Sequence, residues 1–293
     1  MKKHLSTIVV VVIFVCGLSL FLYPTISNLY NENLNHQLIG DYQDACEEVA
    51  PEQFVKAKAD AKAYNQYLND TQKREELGLT YESMLNVTGS GVMGYIDIPK
   101  ISVSLVIQHS LDEDVLQNSI GHSEDSALPI GGKSTHCVLA GHTGLPSAKL
   151  LTNIDQLKIG DEFYIHVLDE VLEYRIDNIV VVKPHETSHL NVVSGKDYVT
   201  LVTCTPYGVN SHRLLVRGVR VGGADSSTDN ALHVKNDLLN IEMEYLLTFS
   251  LIGLAAMTFA VYKIVKMIKK KKAKEKEGED NVVEQDEETP QNE

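Results

Sequence analysis

The sequence is short of positive charge, of paired cysteines and of any internal repeat, and each shortage removes a class of function. Its 293 residues hold 26 Lys and Arg against 40 Asp and Glu, a formal net charge of −14. Phosphate backbones are bound by basic surfaces, so nucleic acid is excluded as the partner. Only four cysteines occur, Cys16, Cys46, Cys137 and Cys204. Cys16 falls in an apolar run, which leaves an odd number elsewhere, and a disulfide framework needs pairs. A lone thiol is either a small buried hydrophobe or a reactive group. Hydrophobic residues at 43% and charged residues at 23% are the proportions of a folded chain. Its length allows one or two domains.

Charge is absent altogether from two stretches, Leu5–Tyr23 and Tyr245–Tyr262. Each matches the roughly 17–25 apolar residues that cross a bilayer. The segment after the first, "FLYPTISNLY", offers no small-x-small cleavage site, which favours an uncleaved anchor. Lys2 and Lys3 precede the first run, and eight lysines from Lys263 to Lys276 follow the second. Positive flanks stay inside, so both termini are expected in the cytoplasm and the chain from about Pro24 to Glu244 outside. That outer part holds 16 basic and 31 acidic residues, net −15.

The expected organisation is a short N-terminus (1–4), a membrane helix (5–23), a helical stalk (24–85), a β domain (86–222), a linker (223–244), a second membrane helix (245–262) and a charged tail (263–293). Ala, Glu, Lys and Gln with apolar residues at helical spacing predict helix over 29–69, with Pro51 in the first turn of its second part. The stretch 70–85 reads as loop with some helix. From Gly89 onward, short β-branched runs recur between Gly, Pro and Asn: "GVMGYIDIP", "SVSLVIQ", "THCVLAG", "EFYIHVL", "LEYRIDNIVVVK", "DYVTLVTC" and "RLLVRGVRV". Many short strands with a few helical turns predict a mostly β domain, a closed barrel or a sandwich.

Two patterns carry chemistry. "HETSH", residues 185–189, has the H-E-x-x-H spacing of zinc peptidases, which need both histidines on one helix face. Pro184 precedes it, Thr187 and Ser188 are poor helix formers, and strands lie on both sides, so the motif is expected in a loop and no metal site is assigned. The second pattern is "YVTLVTCTPYGVNSHRLLVRG". A β-branched strand ends on Cys204, a loop runs from Thr205 to His212, and Arg213 opens the next strand. Antiparallel pairing would put Cys204 and Arg213 at one end of the sheet. There a guanidinium favours a thiolate or donates to an oxyanion. A nucleophilic thiol needs an acid/base partner. His142 in "GHTGLP", at a strand end, is best placed, and His122, His136, His185 and His212 are rivals. Tyr207 and Asn210 are candidates for shaping a substrate groove.

"TLVTCTPYGVNSHRLLVRG", "GHTGLPSAKLLTNIDQLKIGD" and "GVMGYIDIPKI" resemble, in that order, the active-site hairpin, the histidine segment and the barrel start of the sortases. "TPYGVNSHRLLV" and the second apolar run resemble the class C, pilus-assembling branch most closely. The resemblance covers about Leu85 to Val221. It implies an eight-stranded β-barrel with short helices, after an N-terminal helical region and between two transmembrane helices. It implies catalytic His142, Cys204 and Arg213, no cofactor and no metal. The implied partners are pilins or surface proteins with a C-terminal LPXTG-like sorting signal, a lysine amine acceptor, and the membrane. Attachment to a peptidoglycan amine, or a silent membrane-tethered binding module, are the alternatives. Class C members carry a lid with an Asp-Pro-aromatic motif, yet none of the eight prolines here follows an aspartate. In the corresponding region, 70–85, Tyr81 and Met84 are the candidates for such a plug.

Overall fold

The computed structural model describes residues 2–222 together with Lys263 and Lys266. The second apolar run, the linker 223–244 and the rest of the tail lie outside the described residues. The first apolar run and the stretch after it form one helix, α1 (Lys2–Glu48). Pro24 lies inside it, at the point where the sequence suggested a boundary. A proline forfeits one ladder bond, and docking of the stretch from Asn28 to Tyr42 on the barrel supports the helix beyond it. A second helix, α2 (Pro51–Gln66), starts on Pro51 as expected, where the missing N–H costs nothing. The polar stretch that follows yields α3 (Thr71–Glu76), capped by the Asp70 carboxylate, which accepts from the Lys73 N–H at 3.0 Å.

Eight strands then close into a barrel: β1 (Val92–Ile98), β2 (Val103–His109), β3 (Ile120–His122), β4 (Thr135–Ala140), β5 (Glu162–Val167), β6 (Glu170–Val182), β7 (Asp197–Thr205) and β8 (His212–Arg220). Around the wall the order is β1-β2-β3-β4-β7-β8-β6-β5, and β5 pairs back onto β1. Pairing is parallel between β2 and β3 and between β4 and β7, and antiparallel elsewhere. A short helix, α4 (Glu113–Leu116), bridges β2 and β3.

Side-chain alternation fills the barrel. Along β5 the buried positions alternate with half-buried ones, so Phe163, Ile165 and Val167 point inward. They share one core with Ile96 of the neighbouring β1 and with Leu139 and Leu201 of β4 and β7. On β1, burial covers both faces, because α1 lies against the outer one. There Ile39 and Tyr42 pack on Val92, Tyr95 and Val106. The helical region is therefore docked on the barrel rather than standing off it as a stalk: Ala61 and Tyr64 of α2 are wholly buried in the main core.

Candidate functional site

The rim of the barrel at β4, β7 and β8 is where the thiol lies. Cys204 and Arg213 are direct antiparallel partners across β7 and β8. Directly opposed residues project to the same side of a sheet. Val199, Leu201, Leu214 and Val216 fill the core, so the alternate positions Cys204 and Arg213 face outward. The other side of β7 carries β4 in parallel register, ending on the pair Ala140 and Val202. The ladder continues past that end. The Gly141 N–H donates to the Val202 carbonyl at 3.1 Å, and the Thr203 hydroxyl donates to the Gly141 carbonyl at 2.7 Å. Those bonds lead the chain to His142 at the level of Cys204. The structure thus brings the three residues singled out in the sequence to one end of three adjacent strands.

Each has a definite environment. Cys204 is half-buried, unlike the buried Cys137. Burial pushes the Cys137 thiol well above its usual range, and burial likewise raises Cys46, which marks both as inert. Nη1 of Arg213 donates to the carbonyls of Asn210 at 3.3 Å and His212 at 3.2 Å. The His142 ring is largely covered, and its Nε2 comes within 3.4 Å of the Glu113 carboxylate on α4. That is ion-pair distance without hydrogen-bond geometry, and Nε2 is buried with no other partner among the described residues. Tyr207, 67% exposed, reaches across to the His142 loop. A Cβ on Gly144 would stand 3.1 Å from its ring.

The rival histidines are otherwise employed. His122 bonds Tyr81 and the Ala127 carbonyl, and burial lowers it to about 4. His136 is held between the Asn191 carbonyl at 3.0 Å and the Thr200 hydroxyl at 2.7 Å, and burial lowers it too. His212 opposes Thr205, one position past Cys204, so the alternation turns it to the other side of the sheet. His185 and His189 are exposed in the loop between β6 and β7, with a single 3-10 turn at Ser188–Leu190. "HETSH" is on no α-helix, so its histidines share no helical face that could hold a metal.

Tyr81 and Met84 are core residues and not plugs over the thiol. The Tyr81 hydroxyl bonds His122 and accepts from the Ser110 N–H. Glu113 escaped the sequence reading. Nothing local distinguishes it from the other carboxylates of an acidic chain.

Residues 96–221 match the family model described as the sortase domain. The chain is similar to the crystal structure of sortase C1 from Streptococcus agalactiae, with 46% identity, covering 64% of this chain and 100% of that one, at a TM-score of 0.60. It is similar to a Clostridium perfringens sortase C solved with the C-terminal cell wall sorting motif, with 39% identity, covering 64% and 99%, at a TM-score of 0.55. Among curated proteins, Bacillus anthracis sortase A is 27% identical, over 75% of this chain and 97% of the relative.

Proposed function

The chain belongs to the sortase family, the cysteine transpeptidases, with class C enzymes as its structural neighbours, and from that premise we propose that Cys204, His142 and Arg213 cleave an LPXTG-like sorting signal and pass its acyl group to a lysine amine of a pilin. The observation that supports this reading is the register that sets Cys204 opposite Arg213, with the β4 ladder running in parallel beside β7 up to Gly141, the residue before His142.

The sulfur of Cys204 attacks the carbonyl between Thr and Gly of the signal. A C–S bond forms, the C–N bond breaks, and His142 protonates the departing amine. Arg213 donates to the oxyanion as charge develops on the carbonyl oxygen. The thioester keeps the acyl group activated. A lysine amine then attacks it, a C–N bond forms as the C–S bond breaks, His142 takes the amine's proton, and Cys204 leaves as the thiolate, closing an isopeptide bond. The C. perfringens sortase C, solved with a sorting motif, supports a sorting-signal substrate for this site.

Membrane attachment belongs to the same proposal. The apolar part of α1 has a mean hydropathy of 1.8 and none of it is buried against the protein, with Phe14, Leu20 and Phe21 exposed. The lysine flanks favour cytoplasmic termini and an exterior barrel.

Full-length chain in detergent, mixed with a sorting-signal peptide, is expected to gain the acyl mass on Cys204 by mass spectrometry. Cys204→Ala is expected to gain none, and an acylated Cys204→Ala would overturn the assignment. Co-expression with a pilin bearing the signal is expected to give high-molecular-weight ladders. Products found solely on wall fragments would move the acceptor to a peptidoglycan amine.

A further inference from the structure

Asn28, Asn31 and Asn35 recur along α1 at three- and four-residue spacing, so they share one helix face. That face meets both segments that border His142. The first is the loop leaving β4. Asn28 Oδ1 accepts from the Lys149 N–H at 2.7 Å, while its Nδ2 donates to Glu32 at 2.8 Å. The loop also closes on itself around the histidine: the Leu151 N–H donates to the His142 carbonyl at 3.2 Å, and the Gly144 N–H donates to the Thr152 hydroxyl at 3.2 Å. Lys149 is thus two residues from Leu151, whose N–H meets the His142 carbonyl.

The second segment carries Glu113. Asn118 lies just past α4 and is held twice by α1. Asn31 Nδ2 donates to its side-chain oxygen at 3.2 Å, and Asn35 Nδ2 donates to its carbonyl at 2.7 Å. Asn35 Oδ1 also accepts from the Val106 N–H of β2 at 3.2 Å. Asn31 and Asn35 are 5% and 1% exposed. A buried amide left without partners is destabilising, so these ties hold α1 in one seating on the barrel. The Glu113 carboxylate then stands 3.4 Å from His142 Nε2.

We propose that α1 positions His142 for proton transfer through Asn28, which acts on the histidine loop at Lys149, from the seating that Asn31 and Asn35 give the helix. The inference rests on His142 being the acid/base of the proposed transpeptidase. The helix that carries the apolar anchor is thereby a wall of the catalytic apparatus. Asn28 is a positioning residue. It touches no substrate and works through the loop.

The test uses full-length chain in detergent, a soluble sorting-signal peptide and an amine acceptor. Asn28→Leu and Asn28→Ala remove the acceptor for Lys149. Asn28→Asp combined with Glu32→Gln restores an oxygen there without a new carboxylate repulsion. Misplacing an acid/base group by about 1 Å costs up to 10²-fold, so kcat is expected to fall about tenfold in Asn28→Leu and Asn28→Ala. KM is expected to stay within about twofold, because peptide binding does not use the loop tie. Alkylation of Cys204 by iodoacetamide is expected at the wild-type rate, amide exchange across 142–152 is expected to quicken, and the Asp-containing double variant is expected to recover kcat. Wild-type kcat and exchange in Asn28→Leu would overturn the inference, as would a loss that the double variant fails to recover. A wild-type chain that forms no thioester on Cys204 would instead overturn the parent reading, which keeps the two failures apart.

Discussion

Tyr81 is one of the residues that tie the stretch ahead of the barrel to it. Its hydroxyl accepts from the Ser110 N–H at 3.1 Å and donates to the His122 carbonyl or ring, each at 3.0 Å. Burial pushes the phenol far up, so it stays neutral and keeps its donor. Tyr81→Phe strands the Ser110 N–H and loses a donor to His122, which is expected to cost about 1–3 kcal/mol in urea unfolding. Because Tyr81 is packed in the core and not over the thiol, the same substitution is expected to leave the rate of Cys204 alkylation unchanged. Faster alkylation would revive Tyr81 as a lid. Cys137 shows the other side of residue-scale reading. A thiol in a strand five residues before the candidate histidine reads as core from sequence, and it is core.

Among the elements, β3 is the least self-sufficient. Its three residues, Ile120–His122, pair parallel with β2 and antiparallel with β4. So short a run has no alternation to read, which is why the strands visible in the residues stop one short of a closed barrel. Its last residue is fixed from the side: His122 is wholly buried, and its Nε2 lies 2.9 Å from the Ala127 carbonyl. Burial holds His122 at about 4 in the folded protein, against about 6.5 in the unfolded chain. The unfolded chain therefore binds the extra proton between those values. The stability this neutral histidine supplies is present above about pH 6.5 and is lost as pH falls toward 4, a total of roughly 3 kcal/mol. His122→Gln removes the titrating group. Urea unfolding at pH 7 and pH 4.5 is expected to show a smaller acid loss in the variant than in the wild type. Equal losses would place the acid sensitivity elsewhere.

For the whole molecule, α1 and the barrel share hydrogen bonds and apolar cover. Tyr42 donates to the Met93 carbonyl at 3.1 Å and accepts from the Leu168 N–H at 2.8 Å, joining β1 to the turn between β5 and β6. Without α1 both backbone groups lose their partner, and Val92, Tyr95 and Val106 lose the apolar cover of Ile39 and Tyr42. Two buried hydrogen bonds at about 1–3 kcal/mol each, with the apolar area added, are several kcal/mol. A chain of residues 51–222 is accordingly expected to aggregate or unfold at much lower urea. A chain of residues 25–222 drops both apolar runs but keeps the docked half of α1, and it is expected to stay soluble with a higher urea midpoint than the shorter chain. Equal stability of the two would show that α1 docking contributes little.

What the sequence determined by itself is whatever depends on neighbours in the chain. The period-two runs mark most strands, the helical spacing marks α1 and α2, Pro51 marks a helix start, and the strand ending on Cys204 with Arg213 opening the next one announces a hairpin with its chemistry at one end. Pro184 and its neighbours were enough to put "HETSH" in a loop. What tertiary structure alone decided is whatever depends on residues far apart in sequence. The parallel pairing of β4 with β7 brings the strand that leads into His142 alongside the strand that ends near Cys204, and no local pattern encodes that pairing. Closure through β3, the approach of Glu113 to His142 and the seating of the asparagine face of α1 are of the same kind. Each is a contact across a long loop, where the free energy comes from partners that the local chain cannot name.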